Sequence, residues 1–373
     1  MNSHQEKFAI EVCERAAPHV KAIAPYVPGK PISELAREFG LEEAAIVKLA
    51  SNENPLGPSP KGLAAAQAAL QDMALYPDGA GFALKAALCG KLGVAQDNIV
   101  LGNGSNDVLD MAARAFLGPG VSAVYAQHAF AVYPIATLTV GATGIEVPAK
   151  SYGHDLAAMR AAMRDDTRVM WIANPNNPTG TFLPWAEIEA FLGEVPRHVL
   201  VVLDEAYGEY LPPMDRFDTV SWLAKFPNLL ISRTFSKAYG LAGLRVGYGL
   251  GHPAVIDLMN RVRQPFNVSA PALAAAEAAL ADTEFLERSY AVNLAGLKQL
   301  SAGLAELGLE PVPSRGNFLL ARVGEAARIN QMLLKRGVIV RPVAGYGLPE
   351  FLRVSVGLEA QNTRFLAALR ECL

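Results

Sequence analysis

Between about Asp97 and Leu250 the chain repeats one pattern: a short β-branched or apolar run, a turn rich in Gly, Pro or Asn, then an Ala/Leu-rich stretch of helical character. Seven runs of the first kind read as strands: Asn98–Leu101, Ser122–Tyr125, Gly144–Val147, Arg168–Ile172, Val199–Leu203, Asn228–Ser232 and Val246–Leu250. Most are continuously apolar rather than alternating, as strands covered on both faces must be. Strand and helix taking turns predict an α/β fold built on a large, mostly parallel, seven-stranded sheet between helices. Beyond about Ala270 the pattern changes. An Ala-rich helix is expected from Pro271 and a second from Glu284 to Leu307, followed by strands at Phe318–Arg322, Val338–Arg341 and Leu352–Val356. This predicts a smaller α+β domain. The segment through Gly40 is too short to bury a core of its own, so it is expected to pack as an arm on that domain or on a neighbouring subunit. The expected division is an arm and part of the small domain over 1–48, a large domain over 49–270 and a small domain over 271–373.

A length of 373 residues supports this organisation, being two to three domains at about 150 residues each. Lys and Arg number 33 against 36 Asp and Glu, with no basic block, so nothing attracts a nucleic acid or an anionic membrane. Cys13, Cys89 and Cys372 are odd in number and far apart, which fits a reducing compartment and neither a disulfide framework nor a zinc site. The segment Met1–Val20 mixes charges with its apolar residues, unlike a secretory signal, and no apolar run approaches the ~18 residues of a membrane span. A soluble cytoplasmic protein is expected.

Several familiar chemistries are missing their residues. Gly102-Asn103-Gly104-Ser105-Asn106-Asp107 follows a strand and opens a helix, but Asp107 stands where a dinucleotide fingerprint needs its third glycine. Gly29-Lys30 and Gly90-Lys91 are followed by Pro31 and Leu92, so neither is a nucleotide P-loop, and the six histidines do not cluster as metal ligands. What the Gly-Ser-Asn turn retains is a set of backbone N–H groups and a hydroxyl at a helix N-terminus, able to hold one phosphate.

Four more features fall where strands end. Asn174-Pro175-Asn176-Asn177-Pro178-Thr179-Gly180 presents amides at the carboxyl edge of the sheet. Asp204-Glu205-Ala206-Tyr207 closes an apolar strand, and an aspartate leaving a buried strand needs a cationic or hydrogen-bonding partner; a protonated pyridine nitrogen is one. Ser232-Arg233-Thr234-Phe235-Ser236-Lys237 sets a lysine among hydroxyls. Gly240-Leu241-Ala242-Gly243-Leu244-Arg245 brings a guanidinium suited to a phosphate held at two oxygens. An amine, an acid, phenol and amide donors and a phosphate cup are together the parts that pyridoxal phosphate requires.

Order and spacing resemble the fold-type I pyridoxal-phosphate-dependent aminotransferases from Leu49 to Gly357. Within them the chain is most similar to the histidinol-phosphate aminotransferase family, through Pro25-Tyr26-Val27-Pro28-Gly29-Lys30, Ala50-Ser51-Asn52-Glu53-Asn54-Pro55-Leu56-Gly57, Tyr76-Pro77-Asp78, Asp204-Glu205-Ala206-Tyr207 and Phe235-Ser236-Lys237-Ala238-Tyr239-Gly240. The resemblance implies a homodimer acting on small molecules, with no nucleic-acid or membrane partner. It implies that Lys237 carries the cofactor and moves the proton, that Asp204 keeps the pyridine nitrogen protonated, and that Tyr207 and Asn177 donate to the ring oxygen. Gly104, Ser105, Asn106, Ser236 and Arg245 match phosphate-binding positions, Thr234 less closely, and Tyr76 matches a tyrosine reaching the phosphate from the other subunit. Phe130 is expected against the cofactor ring, with Tyr133 second; the commoner family pattern has proline-threonine-tyrosine there. Arg353 matches the position that pairs with a substrate carboxylate, and here also serves a substrate phosphate. Arg341 and Tyr26 match further phosphate contacts, Tyr26 from the neighbouring subunit, while Asn54 and Asn317 lie in matching segments. The implied reaction passes an amino group from L-histidinol phosphate to 2-oxoglutarate, giving imidazole-acetol phosphate and L-glutamate, in histidine biosynthesis. The rivals are an aromatic amino acid aminotransferase and a threonine-phosphate decarboxylase-like lyase.

Overall fold

Period-two alternation along the central strands sorts their side chains onto two opposite cores. Val124, Met170, Ile172, Val201, Leu203, Leu229 and Ile231 enter one; Ala123, Tyr125, Val169, Trp171, Leu200, Val202 and Leu230 enter the other. Both cores are covered by helices, which is why the strands read as unbroken apolar runs. The structure is a computed structural model that describes residues 11–373; the first ten residues of the expected arm lie outside the described residues.

Numbered along the chain, β1 is Val47–Lys48, β2 Ile99–Gly102, β3 Ser122–Ala126, β4 Thr143–Val147, β5 Thr167–Ala173, β6 Leu200–Asp204, β7 Leu229–Thr234 and β8 Gly247–Gly251. Strands β2 to β8 form one seven-stranded sheet in the order β2-β8-β7-β6-β5-β3-β4. All neighbours are parallel except β8, which is antiparallel to both β7 and β2. That reversal matters for the site. The parallel strands end at one edge of the sheet, and β8 begins at that same edge, so residues just before β8 meet residues just after β2, β5, β6 and β7.

The remaining strands are β9 (Pro311–Val312), β10 (Phe318–Arg322), β11 (Val338–Ile339), β12 (Arg341–Pro342) and β13 (Phe351–Ser355). A four-stranded antiparallel sheet β12-β13-β10-β9 packs with helices Thr283–Glu306, Ala326–Lys335 and Glu359–Arg370 around Leu300, Leu319, Leu333, Val354 and Phe365. The run Val338–Arg341, expected as one strand, is two. Val338 and Ile339 pair in parallel with β1, while Arg341 and Pro342 pair with β13; the chain passes between sheets at Val340. Helix Ile32–Phe39 buries Leu35 against Leu334 and Ile339, so the described part of the N-terminal segment rests on these C-terminal elements of its own chain. Among the described residues no helix is long and apolar enough to cross a membrane.

Candidate active site

A cavity of about 200 Å³ opens at the edge where the strands converge. Ser105 and Asn106 reach it from the turn after β2, Asn177 from the turn after β5, Asp204 and Tyr207 from the end of β6, and Thr234, Ser236 and Lys237 from the end of β7. Arg245 enters just ahead of β8, and Arg341 and Arg353 come from the antiparallel sheet. Phe130 and Tyr26 complete the wall.

Lys237 is half-buried, and its Nζ donates to the carbonyl of Ser51 at 3.0 Å. Burial first, and then the charge of Arg353, push its amine down to about 7. A lysine titrating there is part neutral near physiological pH, as a nucleophilic and proton-carrying amine must be. Burial acts oppositely on Asp204, pushing its carboxyl up to about 6. Tyr133 donates to Asp204 Oδ2 at 2.9 Å, whereas Oδ1 is buried without a partner in the protein. An orphaned carboxylate oxygen on the wall of a cavity that also holds a poised amine fits a protonated pyridine nitrogen. Tyr207 Oη accepts from Asn52 Nδ2 at 3.0 Å and keeps its own proton, burial raising its pKa to about 12. That leaves it a donor into the cavity.

One end of the cavity is suited to an anion. Arg245 Nη1 donates to Ser236 Oγ at 3.1 Å, and Gly104, at φ 77°, lies so close that a Cβ there would overlap the guanidinium. Helix Ser105–Phe116 begins at this point, and no side chain caps its N-terminus, where an anion is favoured. At the other end Arg353, 6 % exposed, donates to Asn177 Oδ1 at 2.5 Å and to the Ala50 carbonyl at 2.6 Å. Arg341 lies directly opposite it across β12 and β13, donates to the Val27 carbonyl at 2.7 Å and stacks over Tyr26 with its carbon 5.4 Å from the ring centre. Among the described residues none of these three arginines has a carboxylate partner.

Of the expected positions, Tyr26, Asn54 and Asn317 differ. Tyr26, expected from a neighbouring subunit, lines the cavity of its own chain. Asn54 is turned away, its Nδ2 donating to Ala238 O at 2.9 Å and Ser289 Oγ at 2.8 Å, and does not line the cavity. Asn317 also lies behind the wall, donating to the Asn52 carbonyl at 3.0 Å. Tyr76 is 83 % exposed, stacked on Phe266 and outside this chain's cavity. Two residues went unselected in the sequence for the places they hold. Asn52, at φ 55°, grips Tyr207 and lines the cavity two positions before Asn54. Tyr133, named second to Phe130 for the ring, lines the cavity and donates its hydroxyl to Asp204.

Fold and site together define an aminotransferase, and the sequence profile of the family "Aminotransferase class I and II" matches residues 44–369. Histidinol-phosphate aminotransferase 1 of Thiobacillus denitrificans is 77% identical over 96% of this chain and 93% of its own length. Histidinol-phosphate aminotransferase 1 of Dechloromonas aromatica is 60% identical over 98% and 100%. The crystal structure of histidinol-phosphate aminotransferase from Sinorhizobium meliloti in complex with pyridoxal-5′-phosphate superposes with a TM-score of 0.89 at 31% identity, covering 96% of this chain and 97% of that one. The chain belongs to the histidinol-phosphate aminotransferase family.

Proposed function

We propose that the protein uses pyridoxal phosphate to transfer the amino group of L-histidinol phosphate to 2-oxoglutarate, forming imidazole-acetol phosphate and L-glutamate in histidine biosynthesis. The observation that carries the substrate choice is the pair Arg341 and Arg353. Two like charges set opposite each other across an antiparallel pair repel, and with no carboxylate beside them they call for an anionic ligand between them. Phosphate and α-carboxylate both meet that need.

When bound, the cofactor supplies an aldehyde that condenses with amines and a pyridinium ring that accepts electrons as the substrate Cα–H bond breaks. Gly104, Ser105, Asn106, Ser236 and Arg245 hold its phosphate. Asp204 keeps a negative charge on the ring nitrogen side, and Tyr207 and Asn177 donate to the ring oxygen. Phe130 covers the ring. Lys237 Nζ, neutral once it has lost its proton, takes the proton from the substrate α-carbon and returns it within the same cavity. Arg353 orients the anion of either substrate; Arg341 and Tyr26 add contacts to the phosphate. Asn54 acts behind the wall by fixing the backbone at Ala238, next to Lys237.

The assembly we infer is a homodimer in the cytoplasm, with residues 1–48 as an arm and part of the small domain, 49–270 as the large domain and 271–373 as the small one. Met73, Leu75, Tyr76, Phe82 and Phe266 leave an exposed apolar face that a second copy covers, and this carries Tyr76 to the partner's cofactor phosphate. The reaction is tested in halves. Purified protein is mixed with histidinol phosphate, glutamate, phenylalanine or tyrosine without a keto acid, and loss of the cofactor's aldehyde-form absorbance is followed. Fast conversion by the first two and slow conversion by the aromatics is expected. Preference for phenylalanine or tyrosine refutes the substrate choice, and carbon dioxide release without any keto acid refutes transamination.

A further inference from the structure

Alternation along β6 puts Asp204 on the same face as Val202 and Leu200, beneath helix Val132–Thr139. Tyr133 stands in the first turn of that helix with 0 % of its surface exposed, so its hydroxyl has no water to bond and must find a protein partner. That partner is Asp204 Oδ2, at 2.9 Å. Burial, reinforced by the neighbouring carboxylate, holds the phenol pKa well above its ordinary value, so the hydroxyl stays a donor.

The ring is held from two sides. It lies parallel to Trp171, with centroids 5.4 Å apart and 4° between the planes, and Phe130 meets it edge-on at 5.8 Å. Trp171 Nε1 donates at 3.2 Å to Thr137 Oγ1, one turn along the helix that carries Tyr133, so tyrosine and indole hold each other in place. Trp171 is also two residues before Ala173, which pairs with Asp204 in the sheet. A phenylalanine would fill this space as well; only the hydroxyl distinguishes the residue present.

We propose that Tyr133 is a positioning residue that fixes one oxygen of Asp204 so that the other, Oδ1, is presented to the ring nitrogen of the cofactor. The proposal rests on the cofactor reading above. It accounts for the two unlike oxygens of one carboxylate: Oδ2 is bound to a rigid phenol, and Oδ1 lies bare at the cavity wall. The other groups facing Asp204 are Lys237 from the turn after β7, Glu205 and the Ala206 N–H from its own strand end, and Tyr207 two residues further. None of the side chains among them donates a hydrogen bond to the carboxylate, so none replaces the phenol.

Tyr133→Phe keeps the stacking and removes one hydrogen bond to a charged group, which shifts linked titrations by ~1–2 pH units. The Asp204 carboxylate then becomes the stronger base, draws the ring proton toward itself, and the pair gives that proton up only at higher pH. Parent and variant are loaded with pyridoxal phosphate labelled with nitrogen-15 in the ring, and the nitrogen resonance is followed against pH. Deprotonation ~1–2 units higher in the variant is expected, with a reduced kcat, because the proton lies nearer the carboxylate than the ring, and an unchanged KM for glutamate. Titration at the same pH as the parent overturns the proposal, whatever happens to turnover. A parent protein that takes up no cofactor overturns the cofactor reading instead. Should Tyr133→Phe fail to fold, 3-fluorotyrosine in place of Tyr133, a stronger donor of nearly the same shape, must move the titration downward; no movement there overturns the proposal equally.

Discussion

How one cavity serves two different anions is tested by truncating its paired arginines one at a time. Arg353 is buried, and its guanidinium spans the Asn177 side chain and the Ala50 carbonyl, so it meets a substrate anion in a setting shielded from water. A charge-assisted hydrogen bond there is worth about 1.5–3 kcal/mol, so Arg353→Ala is expected to weaken binding about 10- to 150-fold for histidinol phosphate and for glutamate alike. Arg341 is half-buried and stacked on Tyr26, where water screens its charge. Its loss is expected to cost nearer 1 kcal/mol, about fivefold, and to fall on histidinol phosphate alone. Each variant is assayed in single turnovers at varied substrate concentration without a keto acid, so that binding is separated from the chemical step. The bound-cofactor spectrum should persist in both, because neither residue lies at the phosphate cup around Arg245. An Arg353→Ala protein that loses only glutamate refutes the shared anion site. An Arg341→Ala protein that loses both substrates equally refutes the assignment of Arg341 to the phosphate.

Three more outcomes follow from the same geometry. With its amine pushed down to about 7, Lys237 in the cofactor-free protein is increasingly neutral as pH rises through that value. The rate of pyridoxal phosphate uptake should therefore climb through about pH 7 and level off above it; a climb only near 10.5, the ordinary lysine value, refutes the burial argument. Gly104→Ala forces a non-glycine residue to φ 77° and drives a methyl into Arg245, so cofactor affinity should fall at least tenfold, roughly one lost charge-assisted contact, and equilibrium dialysis with unchanged affinity would contradict this. Tyr76→Ala and Lys237→Ala proteins, each nearly inactive, should regain activity when dissociated and reassociated together, because a mixed dimer has one site with both residues intact; no recovery places Tyr76 in its own chain's site.

The convergence of Ser105, Asn177, Asp204 and Lys237 on one cavity was legible in the sequence because each follows a strand that the apolar pattern marks. A lysine three residues beyond β7 and an aspartate ending β6 arrive at the same sheet edge whatever the details of packing, since parallel strands end together. Arg245 needed one more fact, the antiparallel direction of β8, and its motif supplied the assignment without it. The choice between near neighbours was not legible. Asn52 rather than Asn54 faces the cavity because its backbone takes a left-handed turn, and Tyr133 rather than a solvent-facing side chain meets Asp204 because helix Val132–Thr139 is seated over that face of the sheet.

Sequence by itself determined the seven-stranded α/β architecture, the limits of its strands to within a residue or two, and the chemical kit of amine, acid and anion holders. These are local properties: apolar runs, turn residues and the few positions after them. Tertiary structure alone decided what depends on two distant segments meeting. The register of β12 against β13 sets Arg341 opposite Arg353, the division of Val338–Arg341 between two sheets delivers the first of that pair to the cavity, and burial moves Lys237 and Asp204 toward neutrality. Register and desolvation belong to pairs of surfaces, so no run of residues read singly contains them.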